Sequence, residues 1–215
     1  MKYKSGERTL LASVLLSSPG PIVVGVGLLL GRSSTQLADF IRRTAELAAI
    51  IISWLIFRIT NKDGVEDAIR KAKLEGIASF CVGLAMCFSG TAMVLIAFLS
   101  ESTDKGNVLP GLVIAILGVI TNSWFWFRYR SLDKAEPNAI LAVQSRLYRA
   151  KSIVDVCVTA ALVSIVVSPG SAFSYYMDIA GSIVVAVYLI INGVITLSRR
   201  KSKADDTSQR EGEAH

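Results

Sequence analysis

The chain has 215 residues, 52% of them hydrophobic and only 19% charged, with a mean hydropathy of +0.51. A soluble domain usually carries about 25% charged residues, so an ordinary water-soluble globule is excluded. The formal charge of +6 would suit a nucleic acid, but where the basic residues fall assigns them another role.

Six apolar blocks follow in order, each long enough to cross the roughly 30 Å of bilayer hydrocarbon. The first, about 9–30, comes after Lys2, Lys4 and Arg8. Its apolar part is longer than the core of a signal peptide, and no small-x-small cleavage site precedes a soluble domain, so it reads as a retained span. The stretch Ser17-Ser18-Pro19-Gly20-Pro21 should kink or split that helix. The second block, about 37–60, contains Asp39, Arg42, Arg43 and Glu46. The third and fourth run about 74–100 and 109–128, and the fourth holds Asn122, suited to an interhelical hydrogen bond. The fifth, about 139–168, contains Arg146, Arg149, Lys151 and Asp155, and the sixth spans about 172–198. Away from water only a helix satisfies every backbone group of such a segment. The expected fold is therefore an all-α membrane protein, six transmembrane helices in one domain over 1–200, with a flexible polar tail at 201–215.

Basic residues gather before the first span, around the second connection (Arg58, Lys62, Arg70, Lys71, Lys73), in the fourth (Arg128, Arg130, Lys134) and after the sixth (Arg199, Arg200, Lys201, Lys203). The odd connections offer only Arg32, only Lys105, and none. This alternation follows the positive-inside rule and predicts a multi-pass cell-membrane protein with both termini cytoplasmic. The basicity then reports orientation in a lipid bilayer, with no nucleic-acid partner. Trp124, Trp126 and Tyr129 suit one interfacial aromatic belt, Tyr175 and Tyr176 the other.

Cys81, Cys87 and Cys157 lie inside apolar blocks without metal-ligand spacing and read as packing residues. The single histidine is His215, at the chain end. With no nucleophile–base pair, phosphate loop or metal cluster, the sequence predicts no enzyme, no cofactor and no bound structural metal.

What remains is the charge inside two spans. Ionisable groups in hydrocarbon are costly unless paired or facing a wet cavity. Arg42 and Glu46, and Lys151 and Asp155, are both i,i+4 pairs, so each couple shares one helical face. Counting 1.5 Å per residue, Glu46 and Arg42 lie roughly 21 and 27 Å from Thr60, and Lys151 and Asp155 roughly 17 and 23 Å from Ile140. Running antiparallel, the helices would set Arg42 opposite Asp155 and Glu46 opposite Lys151, a quartet of zero net charge. Asp39 reads as a helix-start carboxylate. Arg43, Arg146 and Arg149 are expected to snorkel to the headgroups.

The segment LADFIRRTAELAAIIISWLIFRIT resembles the second helix of the cation diffusion facilitator family, where Ala-Asp-x-x-His-x-x-x-Asp supplies two divalent-metal ligands. A second His-x-x-x-Asp, or Asp-x-x-x-Asp in some members, on that family's fifth helix completes a tetrahedral site. Tyr176-Met177-Asp178-Ile179-Ala180-Gly181-Ser182 is similar to the Asp-Pro-Ile-Ala-Ser run at the start of its sixth helix. The resemblance implies a six-helix cation transporter, proton-coupled and dimeric, without the cytoplasmic domain that follows the sixth helix in many members. It places the family's histidines on Arg42 and Lys151, its carboxylates on Glu46 and Asp155, and its neighbouring acidic residue on Asp39. Arginine has no lone pair to donate, and two cations would repel a dication, so a conventional zinc site is not expected. The sequence leaves two functions open. One is a cation transporter with an altered centre; the other is a non-transporting relative in which an ion-pair clamp has replaced the metal.

Overall fold

A computed structural model describes residues 2–30, 34–62, 68–99, 109–168, 176 and 180–198. Nearly all of these are helical: α1 (Lys2–Ser17), α2 (Pro19–Leu30), α3 (Ser34–Lys62), α4 (Ala68–Leu99), α5 (Leu109–Ala135), α6 (Ala139–Val167) and α7 (Ala180–Ser198). Among the described residues five stretches are long and apolar enough to cross a membrane: Lys4–Val26, Ile69–Leu95, Leu112–Ala135, Ala139–Val167 and Ala180–Ser198. The sixth expected span, 37–60, falls on α3. That helix has 29 residues and is not one of the five. It is more amphipathic than α1, α2, α4, α5 or α6 and carries Arg42, Arg43, Glu46 and Arg58.

The first span splits where the sequence predicts, with α1 ending at Ser17 and α2 beginning at Pro19. Neither Pro19 nor Pro21 can donate to a carbonyl four residues back, so the ladder opens there. Ser18 partly repairs it, its Oγ donating to the Val14 and Leu15 carbonyls at 2.9 Å each.

Two antiparallel hairpins, α3–α4 and α5–α6, make the most extensive contacts. The first span packs on α3 and α5, and α4 touches α6. At one end of the bundle Arg58 Nε of α3 lies 3.6 Å from Glu7 Oε1 of α1, and Arg128 Nη2 of α5 donates to Ser5 Oγ at 2.7 Å. The α6 N-terminus follows α5 closely, and Asn138 caps it, its Oδ1 accepting from the Ile140 and Leu141 amides at 2.9 and 3.3 Å. Asn138→Ala should lower stability by about 1 kcal/mol, read by thermal unfolding in detergent. An unchanged melting temperature would show that the cap carries no load.

The core runs through the bundle axis, from Leu10, Ile50 and Phe57 through Val82 and Met86 to Phe125, Tyr129, Leu147 and Tyr148. One expectation changes here. Tyr129 does not join Trp124 at an aromatic belt: it is fully buried, whereas Trp124 is exposed. Its ring sits 6.0 Å from Phe125 and 5.4 Å from Tyr148, and its hydroxyl meets Ser13 Oγ at 2.7 Å. A satisfied hydroxyl lets a tyrosine leave the interface for the core.

Helices α4 and α7 meet along a seam of small residues. A Cβ added at Gly193 would stand 2.5 Å from Cys87 Sγ and 2.9 Å from the Gly83 carbonyl, and one at Gly90 would stand 2.8 Å from the Ala186 carbonyl. Close backbone approach of this kind is how helices associate in lipid, where no hydrophobic force separates them from the solvent. Cys81, Cys87 and Cys157 are half-buried, as packing residues in apolar helices. Several expectations lie outside the described residues: the tail at 201–215, Tyr175, Asp178 and the Asp39 side chain.

Candidate functional site

Helices α3 and α6 run antiparallel, and their charged faces meet at the level of Glu46 and Lys151. Lys151 Nζ lies 3.3 Å from Glu46 Oε2, with the two side chains 18% and 10% exposed. The second carboxylate oxygen, Oε1, accepts from Ser89 Oγ of α4 at 2.7 Å. Lys151 Nζ also sits 5.2 Å from the centre of the Tyr148 ring, one turn back on its own helix. The charge of each partner is thus met by the other plus one further group, which a buried ion pair requires to offset its desolvation. At an effective dielectric near 20 their attraction is about 4 kcal/mol.

Asp155, one turn beyond Lys151, is held from α5. Asn122 Nδ2 donates to its Oδ2 at 2.6 Å, and Thr159 Oγ1 donates to its backbone carbonyl at 2.7 Å. Gly118, one turn from Asn122, leaves the space this carboxylate uses: a Cβ there would stand 2.8 Å from Oδ2. Arg42, on α3 one turn from Glu46, attracts both Glu46 and Asp155 through space. Its Nη1 points at Met93 Sδ of α4, 4.0 Å away. Ser123 and Ser152, linked at 2.7 Å, fasten α5 to α6 just below.

The four residues singled out from sequence therefore surround one region between α3, α4, α5 and α6. Glu46 and Lys151 are in direct contact, while Asp155 takes its hydrogen bond from Asn122 and feels Arg42 from a distance. Ser89, Tyr148, Met93 and Gly118 complete the surroundings, and no sequence signal picks them out. A serine or glycine in an apolar helix is ordinary, and only the neighbour across the interface gives it a task.

One of the three arginines expected to snorkel is instead tied to a neighbouring helix. Arg149 Nη2 donates to Asn192 Oδ1 of α7 at 3.3 Å, tying α6 to the α4–α7 pair. Arg43 reaches back over the helix break, where a Cβ at Gly20 would meet its Nη1 at 3.4 Å. A polar partner within reach outweighs snorkelling when the side chain starts deep in the span.

Among the described residues no group of three or more His, Cys, Asp or Glu side chains stands close enough to hold a metal ion. Glu46 is met by the Ser89 hydroxyl and the Lys151 ammonium, and the ammonium has no lone pair to offer a metal ion such as tetrahedral zinc.

Over residues 10–200 the chain matches the cation efflux transmembrane domain. It belongs to the cation efflux family, a family of multi-pass membrane cation transporters. No curated protein matches the chain.

Proposed function

We propose that the protein is a proton-coupled membrane cation transporter whose exchange centre is the Arg42–Glu46–Lys151–Asp155 quartet. The observation that carries this reading is the Glu46–Lys151 contact of 3.3 Å across α3 and α6, deep in the bundle. Glu46 and Asp155 are the groups that take up a proton or a cation. Arg42 and Lys151 are tethered internal cations that occupy the carboxylates until the arriving charge displaces them. Asp39 is an accessory carboxylate one turn above Arg42. Both termini are cytoplasmic on the positive-inside pattern, and two copies form the working unit by family resemblance.

The cycle is a competition. With Lys151 on Glu46 the centre is neutral and closed. A proton on Glu46 removes that attraction and frees the Lys151 ammonium, while a cation binding Asp155 competes with Arg42. Rocking of α3 against α6 then exposes the centre to the opposite side, as alternating access about a midplane site requires. Glu46→Gln and Asp155→Asn should each abolish cation-dependent proton movement in proteoliposomes while leaving the protein folded. Undiminished flux in both variants would place the centre elsewhere.

The Ser89 and Lys151 contacts that satisfy both Glu46 oxygens support a second reading. In it the quartet is a permanent clamp fixing the α3–α6 register of a non-transporting relative that serves as partner or scaffold. This reading predicts a folded protein with no flux and a stable membrane-protein partner.

A further inference from the structure

Below the ion pair the bundle axis is polar where an apolar core would serve packing as well. Ser5, Thr9, Ser13 and Ser17 recur at every fourth residue of α1, forming one stripe of hydroxyls. Arg128 Nη2 donates to Ser5 Oγ at 2.7 Å at the exposed end of the bundle. Tyr129 Oη lies 2.7 Å from Ser13 Oγ and 3.3 Å from the Thr9 carbonyl. Ser17 Oγ and Tyr148 Oη are 3.3 Å apart, and the Tyr129 and Tyr148 rings lie 5.4 Å centre to centre. Lys151 stands over the Tyr148 ring, and Glu46 follows. Ser13, Tyr129 and Tyr148 are fully buried.

Two further observations point the same way. Gln144 shares the α6 face of Tyr148 and Lys151, being four and seven residues before them. It is fully buried, and among the described residues neither its Oε1 nor its Nε2 has a hydrogen-bond partner. A buried carboxamide with both ends unmatched calls for water, the smallest molecule that supplies a donor and an acceptor together. At the upper end of the stripe Pro21 has no amide hydrogen for the Ser17 carbonyl, so Ser17 offers a freed acceptor beside its hydroxyl.

We propose that the α1 hydroxyl stripe, with Tyr129, Tyr148 and Gln144, is the proton route between the basic end of the bundle and the Glu46–Lys151 pair. This rests on the transporter reading and adds its pathway. Each hydroxyl or water along the column accepts one proton and releases its own, so one proton enters at the Ser5 end and one arrives at the Glu46 carboxylate. The pair changes from ammonium–carboxylate to ammonium–carboxylic acid. No bond other than O–H is formed or broken.

A purely structural role for these hydroxyls separates cleanly, because interhelical hydroxyl bonds contribute little to membrane-protein stability. The experiment is luminal pH, reported by a trapped dye, in proteoliposomes of wild-type protein and variants challenged in turn with Zn2+, Mn2+, Co2+, Na+ and K+. Tyr148→Phe keeps the ring beneath Lys151, and Ser17→Ala keeps the helix break. Each should cut cation-dependent proton flux by about tenfold or more, at an unchanged melting temperature. Ser17→Thr, which restores a hydroxyl, should stay within about twofold of wild type, and deuterated water should slow the wild type. Wild-type flux that survives Tyr148→Phe and Ser17→Ala together would overturn the route and leave the transporter reading standing. A wild type with no flux for any of the five cations would remove both.

Discussion

Lys151→Met should destabilise the protein by about 3–5 kcal/mol, the largest loss expected from one side chain here, since it strands a carboxylate that is almost fully buried between helices. Glu46 is only 10% exposed, and after the substitution Ser89 and the more distant Arg42 are what remain to oppose its charge. The residual pull of Arg42 sets the loss nearer the lower figure. The double variant Glu46→Gln/Lys151→Met should recover most of the stability, because removing both charges also removes their desolvation. Denaturant unfolding in detergent micelles measures all three proteins. A loss below about 1 kcal/mol for the single variant would mean that the pair is solvated like a surface salt bridge.

Gly193→Ala is the second large effect, and its sign is set by competition. Alanine gains up to about 1 kcal/mol over glycine inside a helix. At this position the new methyl stands 2.5 Å from Cys87 Sγ and 2.9 Å from the Gly83 carbonyl, and a backbone oxygen cannot rotate away. Overpacking of this kind costs about 1–3 kcal/mol, so the clash wins and α7 is pushed off α4. Cys87→Ala, by removing the sulfur, should restore part of the loss. Gly181→Ala on the same helix meets nothing within 4 Å and should be neutral or stabilising. Thermal unfolding of the four proteins reads the seam directly, and equal behaviour of Gly193→Ala and Gly181→Ala would show that the helices are not in close contact.

Much of the architecture was legible in the sequence because hydrocarbon permits so little besides apolar helices. The split at Ser17–Pro21 followed from two prolines without amide hydrogens. Glu46 and Lys151 could be matched from rise per residue and antiparallel order alone. Asn122 could be marked as an interhelical hydrogen-bonding residue, though not as the partner of Asp155. The partners of the charged groups were hidden for a physical reason. Ser89, Gly118 and Tyr148 acquire their roles only through what faces them across an interface, and sequence spacing reports one helix at a time. Tyr129 shows the same limit. Its neighbours Trp124 and Trp126 suggested an interfacial ring, and the hydroxyl that takes it into the core belongs to Ser13, 116 residues away in the chain. Arg149 was misplaced for a similar reason, since Asn192 on α7 meets it before the headgroups do.

In the proposed cycle the Glu46–Lys151 pair opens during transport and does not serve only as a clamp. This opening is tested most directly by luminal pH in proteoliposomes of the wild-type protein while one cation at a time is presented outside. A pair that opens gives cation-dependent proton movement in the wild type, and none in the folded Glu46→Gln/Lys151→Met protein. A folded wild type that moves no protons for any of the cations, at any pH gradient imposed, would contradict it and leave the clamp.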